Sequence, residues 1–153
     1  MSNITYQIER WDSYYRDCQE LWQEDYNEMT IDKKKMPFSP NLTAYEELDK
    51  RGMLVIVTAR KSDIMIGYFL CVINHSLHYS TNLFAYDDTY FLTNSERKGW
   101  QGVKMIKKML EELRRRKVDK MFLVTLNLRN SGILFKRLGF ENEGAVHTIW
   151  LGE

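Results

Sequence analysis

The chain has 153 residues, 44% of them hydrophobic and 28% charged, with a net charge of +1. This is the make-up of one ordinary globular domain, spanning residues 1–153, with enough chain for a real core. It excludes a membrane span, since no apolar run approaches ~20 residues. It also argues against a nucleic-acid binder, which would carry a net basic charge with interleaved aromatics.

In chain order, Ile4 to Ile8 alternates apolar and polar residues, which predicts a short strand. Asp12 can cap a helix whose apolar positions run Tyr14, Tyr15, Cys18, Leu21, Trp22, Tyr26 and Met29, a helical spacing. Lys33-Lys34-Lys35 with Pro37 and Pro40 makes a loop. Asn41 or Thr43 starts a second helix, with Glu46 placed as in a capping box, and Gly52 ends it. Met53 to Arg60 and Ile64 to Ile73 read as a hairpin joined by Lys61-Ser62-Asp63. Leu83 to Leu92 is another strand, and a long amphipathic helix after Gly99 presents Val103, Ile106, Leu110 and Leu113 on one face. A strand over Met121 to Leu126, a short helix over Ser131 to Leu138 and a final strand over Ala145 to Leu151 complete the chain. The order β-α-α-β-β-β-α-β-α-β predicts an α/β (α+β) domain: an antiparallel meander, then a βαβα unit, in a mixed sheet with helices on both faces.

The opening MSNITYQIERW lacks the apolar segment of a secretory leader. Cys18 and Cys71 read as buried thiols of a reducing compartment, so a cytoplasmic location is expected. No Cys/His cluster has metal-ligand spacing, so no metal site is expected. Charge is uneven along the chain. Residues 9–28 hold seven acids against two bases, and residues 97–120 hold ten bases against three acids. Two solvated helix faces account for this, with a basic segment meeting an anion as the functional alternative.

The most informative stretch is Thr89 to Leu113. A β-prone run (Tyr90, Phe91, Leu92) passes through a polar turn with Arg97, Gly99 and Gly102 into the long helix. Free backbone N–H groups and the helix dipole then point at one place, an arrangement suited to a phosphorylated ligand. The run Arg97-Lys98-Gly99-Trp100-Gln101-Gly102, with Phe135-Lys136-Arg137-Leu138-Gly139-Phe140 further on, resembles the two signatures of the GNAT (GCN5-related N-acetyltransferase) superfamily. The likeness covers the chain from Ile4 to Leu151. Ser76-Leu77-His78-Tyr79 and the loop RKGWQGVK are similar to phage and prophage members.

The resemblance implies a GNAT-like, mostly antiparallel mixed sheet of about six or seven strands flanked by about four helices. It also implies acetyl-CoA as acyl donor. The pyrophosphate would lie on the backbone of Lys98, Gly99, Trp100, Gln101 and Gly102 beside Arg97, and the pantetheine arm along Tyr90, Phe91 and Leu92. Trp100 stands where the family has its first glycine, so its side chain must point away, while Gly99 can supply the same slack one position early. Asn127 and Phe135 match further cofactor positions. Phe135 replaces the tyrosine that serves many relatives as proton donor, and it has no proton to give.

Three residues are candidates for chemistry. Asp88 is the first choice of base, with Asp87 pointing the other way by strand parity. His78 is the alternative, because an imidazole titrates near neutrality. Tyr86, at the position where relatives often carry a carboxylate, can orient a substrate or donate a proton. With these residues the resemblance implies direct acetyl transfer to an amine: a protein lysine or N-terminus, a polyamine or another small amine. The rival reading is a catalytically weak or inactive phage-type protein of this fold that acts by binding a host protein, in the host cytoplasm. The aromatic content also allows a homodimer surface.

Overall fold

The computed structural model describes residues 3–125 and 132–153. Strand β1 (Ile4–Glu9) leads into helices α1 (Trp11–Asp17), α2 (Gln19–Met29) and α3 (Leu42–Lys50). A meander of β2 (Leu54–Lys61), β3 (Ile64–His75) and β4 (Leu83–Leu92) follows, then α4 (Gln101–Arg115), β5 (Lys120–Phe122) and α5 (Gly132–Arg137). The sheet runs in the order β1-β2-β3-β4-β5. The first three pairings are antiparallel, and β4 with β5 is parallel. This is the expected mixed, mostly antiparallel α+β architecture.

The chain divides into two compact units, Met1–Leu123 and Val124–Glu153. The first holds the whole sheet and α1 to α4. The second holds α5, which ends on Gly139 in a left-handed conformation (φ 89°). Its ring pair is Phe135 against Phe140, with centroids 5.6 Å apart.

Several local expectations need correction. Five strands are present among the described residues, rather than six or seven. Residues Ala145 to Leu151 form no strand, since alternating side chains alone do not make a ladder without a paired neighbour. Among the described residues five α-helices stand where about four were expected, because the helix from Asp12 to Met29 is two helices meeting at Cys18. The break is satisfied locally: the Gln19 side-chain amide donates to the Tyr15 carbonyl at 2.7 Å. Arg10, not Asp12, occupies the cap position of α1. At α3 the cap is Asn41, which accepts the Ala44 N–H at 3.1 Å. Glu46 pairs with Lys50 at 2.7 Å, a surface ion pair in place of a capping box.

The central strands are buried over nearly their whole length, as expected for a sheet covered on both sides. On one side α1 and α2 set Trp11, Tyr14, Cys18, Leu21 and Trp22 against Leu54, Ile56, Tyr68, Leu70 and Phe91. On the other, α4 buries Val103, Ile106 and Leu113 of the expected stripe together with Met105 and Met109; Leu110 is only half-buried. On β3, Gly67 lies opposite Leu92 of β4. A Cβ there would stand 2.7 Å from the Phe91 carbonyl oxygen, too near for any other residue type without a shift. No helix among the described residues is long and apolar enough to cross a membrane.

Candidate functional site

The site is built around β4, where the register with β3 slips. Thr89 faces Leu70 and Asp87 faces Cys71, so Asp88 is the extra residue of a β-bulge. A bulge breaks alternation and re-aims side chains. Here it lets two consecutive residues reach the helices α2 and α3. The Tyr45 hydroxyl on α3 donates to Asp88 Oδ2 at 2.5 Å, and the Thr89 hydroxyl donates to Asp25 Oδ2 on α2 at 2.7 Å. Tyr68 on β3 also donates to that Asp25 oxygen, at 2.9 Å. Asp87 is paired with Cys71 across the ladder.

Asp88 keeps exposed surface, yet burial of its carboxyl lifts its pKa above the usual aspartate range, while the Tyr45 hydrogen bond pulls it part of the way back. The Tyr45 hydroxyl is itself pushed up, by burial first and then by the Asp88 charge. A carboxylate raised toward neutrality in a partly open position is what a general base needs. Tyr86 shares this face two residues earlier. Its ring stacks on Phe122 at 5.1 Å and 8° and retains 40% exposure. Pairing of β4 with β5 ends at this residue. His78 lies elsewhere, in the connection between β3 and β4, its ring edge-on to Tyr79 at 5.1 Å. From the start of β4 to Asp88 is five residues, or ~17 Å of strand, so the fold does not bring His78 and Asp88 together.

Beyond Leu92 the chain makes one turn of 3-10 helix (Asn94–Glu96) and reaches the start of α4. This loop is clipped from two sides. The Arg97 guanidinium makes a fork to Glu28 on α2, with Nη1 to Oε1 at 2.7 Å and Nη2 to Oε2 at 2.6 Å. Its Nε donates to the Leu92 carbonyl at 2.6 Å, and its plane lies over the Phe91 ring, 5.1 Å from the centroid. From the other side Lys61 meets Glu96 at 2.7 Å, and the Tyr6 hydroxyl donates to the Gln101 side chain. Arg97 therefore shapes the loop with its side chain, which leaves anion contact to the backbone.

That backbone is suitably placed. The Lys98 N–H is taken by the Glu96 carbonyl at 2.9 Å, but among the described residues no acceptor meets the N–H groups of Gly99 to Val103. Gly99 adopts φ 61°, with nothing within 4 Å of where a Cβ would stand, so it supplies the left-handed turn and an open approach. Trp100 occupies the cap position of α4 with its side chain 64% exposed. The ring points outward, and the tryptophan leaves the loop passable. Gly102 lies in the first turn of α4. Tyr90 and Leu92 lead into this loop on β4, and Phe91 is buried against Tyr68. Phe135 lies in the second unit, and Asn127 lies outside the described residues.

The residues that sequence reading missed are Tyr45, Asp25, Thr89 and Glu28. Asp25 and Glu28 are one helical turn apart within the acidic run, a visible signal without an address. Tyr45 carried no signal at all, since an aromatic on a short amphipathic helix reads as core.

No protein-family model matches the sequence, and no curated protein does either. Solved structures do match. The ribosomal-protein-alanine N-acetyltransferase of Brucella melitensis biovar Abortus 2308 superposes with a TM-score of 0.73 at 11% identity, covering 98% of this chain and 100% of that one. A predicted acetyltransferase from Clostridium acetobutylicum, solved with acetyl-CoA, gives 0.70 at 17% identity over 97% of each chain. Glucosamine-6-phosphate N-acetyltransferase from Arabidopsis thaliana gives 0.72 at 14% identity, covering 97% of this chain and 99% of that one. At these identities the likeness is one of fold, and the fold of this chain is that of the GNAT acetyltransferases.

Proposed function

We propose that this chain is an acetyl-CoA-dependent N-acetyltransferase that transfers an acetyl group directly to an amine. The observation that carries the reading is the course of β4. The strand parts from β5 after Tyr86, presents Asp88 on a bulge at that point, and runs into a left-handed Gly99 and the uncapped start of α4. A base and an anion cradle thus lie on one strand and its exit loop. In this reading the N–H groups of Gly99 to Gly102 take the pyrophosphate, and the backbone of Tyr90, Phe91 and Leu92, which lies between, takes the pantetheine arm. Acetyl-CoA supplies the acyl group as a thioester, and the residues of this chain position the amine and remove its proton.

Asp88 is the base of the proposal, and Tyr86 flanks it. With phenylalanine at position 135, the departing thiolate takes its proton from the amine nitrogen or from water, which a thiol pKa near ~8.5 tolerates. Proteins sharing the fold are named for acceptors as different as a ribosomal protein, aminoglycosides and an amino sugar phosphate, so the fold leaves the acceptor open. The acids on α2 favour a cationic one. The second reading, a phage-type protein that binds a host protein, draws support from the outward-facing Trp100.

Calorimetric titration with acetyl-CoA tests the proposal, run beside Gly102→Trp and Arg97→Ala. Micromolar binding by the parent that both variants lose supports the site, and no heat from the parent overturns it. CoA release on adding amines then separates transfer from mere binding.

A further inference from the structure

We infer that Tyr45 is a positioning residue for Asp88, holding one carboxylate oxygen so that the other faces the incoming amine. The inference rests on the acetyl-transfer reading for its functional half, and on geometry alone for the rest.

Tyr45 is placed by rings rather than by chance. Its ring stacks on Trp11 at 4.9 Å and 8° and tilts against Trp22 at 5.8 Å, and Trp11 is itself buried. Two indoles therefore fix the direction of the hydroxyl, and it donates to Oδ2 of Asp88. Among the described residues no donor reaches Oδ1. The bulge matters here as well. In a regular strand Thr89 would face away from Asp88; the extra residue lets both project toward α2 and α3, so β4 presents Asp88 to Tyr45 while Thr89 is anchored on Asp25.

The titratable group that meets the Asp88 carboxyl is Tyr45 from α3, and Asp25 from α2 acts on Tyr45; Cys71 on β3 and its cross-strand partner Asp87 on β4 are the other titratable neighbours, and the Asp88 charge is felt at Cys71. Of these, Tyr45 is the group that favours the ionised carboxylate. A donor to the charged form lowers a carboxyl pKa, and removing the donor raises it. In the reaction the ammonium of the acceptor passes one proton to Oδ1, leaving a neutral amine and a protonated Asp88. The nitrogen lone pair then forms the bond to the acetyl carbon as the C–S bond breaks, and the surplus nitrogen proton ends on sulfur. Tyr45 loses no proton in this sequence; it keeps Oδ2 occupied and Asp88 ionised at a lower pH.

The test compares the parent with Tyr45→Phe, which keeps the stacked ring and removes only the hydroxyl. Asp88→Asn identifies the resonance. Carboxyl 13C shifts of the aspartates are titrated in each protein, and CoA release from acetyl-CoA with spermidine is followed across pH. The expected result is an Asp88 midpoint that rises by about one pH unit in Tyr45→Phe. The acid limb of kcat/KM should move up by the same amount. An unmoved Asp88 midpoint overturns the inference, and so does a moved midpoint with an unmoved acid limb. Should the parent bind no acetyl-CoA and release no CoA, the acetyl-transfer reading is what fails, while the carboxyl titration still decides whether Tyr45 governs Asp88.

Discussion

The two faces of the sheet are built from different chemistry. Against α4 the sheet meets methionine, isoleucine, leucine and valine, with Met105, Ile106 and Met109 fully buried. Against α1 to α3 it meets indoles and phenols, and carboxylates reach it: Asp25 and Asp88 accept hydrogen bonds from tyrosine and threonine hydroxyls, Glu28 is held by Arg97, and Asp17 pairs with Arg60. An aliphatic face supplies stability without direction. A phenol and carboxylate face supplies direction at some cost in stability, because every buried polar group must find a partner. Among the described residues each does. The difference teaches that the molecule segregates scaffold and site onto opposite sides of one sheet, and that β4 joins them.

Substitutions that separate the faces test this. Asp88→Asn is expected to lower kcat by roughly 10²–10⁴-fold, the usual contribution of a positioned base, while acetyl-CoA binding by calorimetry stays as in the parent. Ile106→Ala should do the reverse: a loss of about 2–5 kcal/mol in urea unfolding, with kcat per folded molecule little changed. If Ile106→Ala reduced turnover as steeply as Asp88→Asn, the separation of the faces would be wrong. Gly99→Ala is smaller. It forces a Cβ into a left-handed conformation at a cost of about 1–2 kcal/mol, and it is expected to weaken acetyl-CoA binding without altering the pH profile.

The smallest effects are electrostatic, and the two faces give them opposite signs. Glu112 on α4 is held down to about 2, chiefly by the Arg115 hydrogen bond and further by Arg116. A depressed folded pKa means its contribution is present above the unfolded carboxylate pKa and fades as pH falls toward 2. Asp88 is raised, so its contribution is present below the ordinary aspartate pKa and is lost as pH rises through the folded value. Asp88→Asn, whose amide oxygen still accepts from Tyr45, should therefore unfold at equal or higher denaturant than the parent at pH 7. Glu112→Gln should unfold at lower denaturant there, and the two differences should shrink together near pH 2. Equal behaviour of the two variants across pH would contradict the assignment.

Much of this molecule was legible in the chain. Alternation marked β1, and β-prone runs bounded by turn residues marked β2 to β4, because a strand buried on both faces carries apolar side chains almost without interruption. The stretch from Leu92 to Gly102 announced a strand, a glycine turn and a helix start, since only glycine accepts the left-handed conformation of Gly99 cheaply. Asp88 was preferred to Asp87 by parity, and that face is the one turned to α3. The break at Cys18 and the three-residue length of β5 were not legible, because local periodicity runs through a one-residue interruption and says nothing of where a partner strand departs.

What the sequence by itself determined was the order of strands and helices from β1 to α5, apart from the break at Cys18, together with the composition of each face and the glycine turn ahead of α4, all consequences of local conformational preference and hydrophobic period. What only the tertiary structure decided was the bulge at Asp88, the clip from Arg97 to Glu28 across 69 positions and the hydroxyl of Tyr45 on a carboxylate 43 residues away. These depend on strand register and helix docking, which are settled by packing the whole core at once and leave no trace in any short window of the chain.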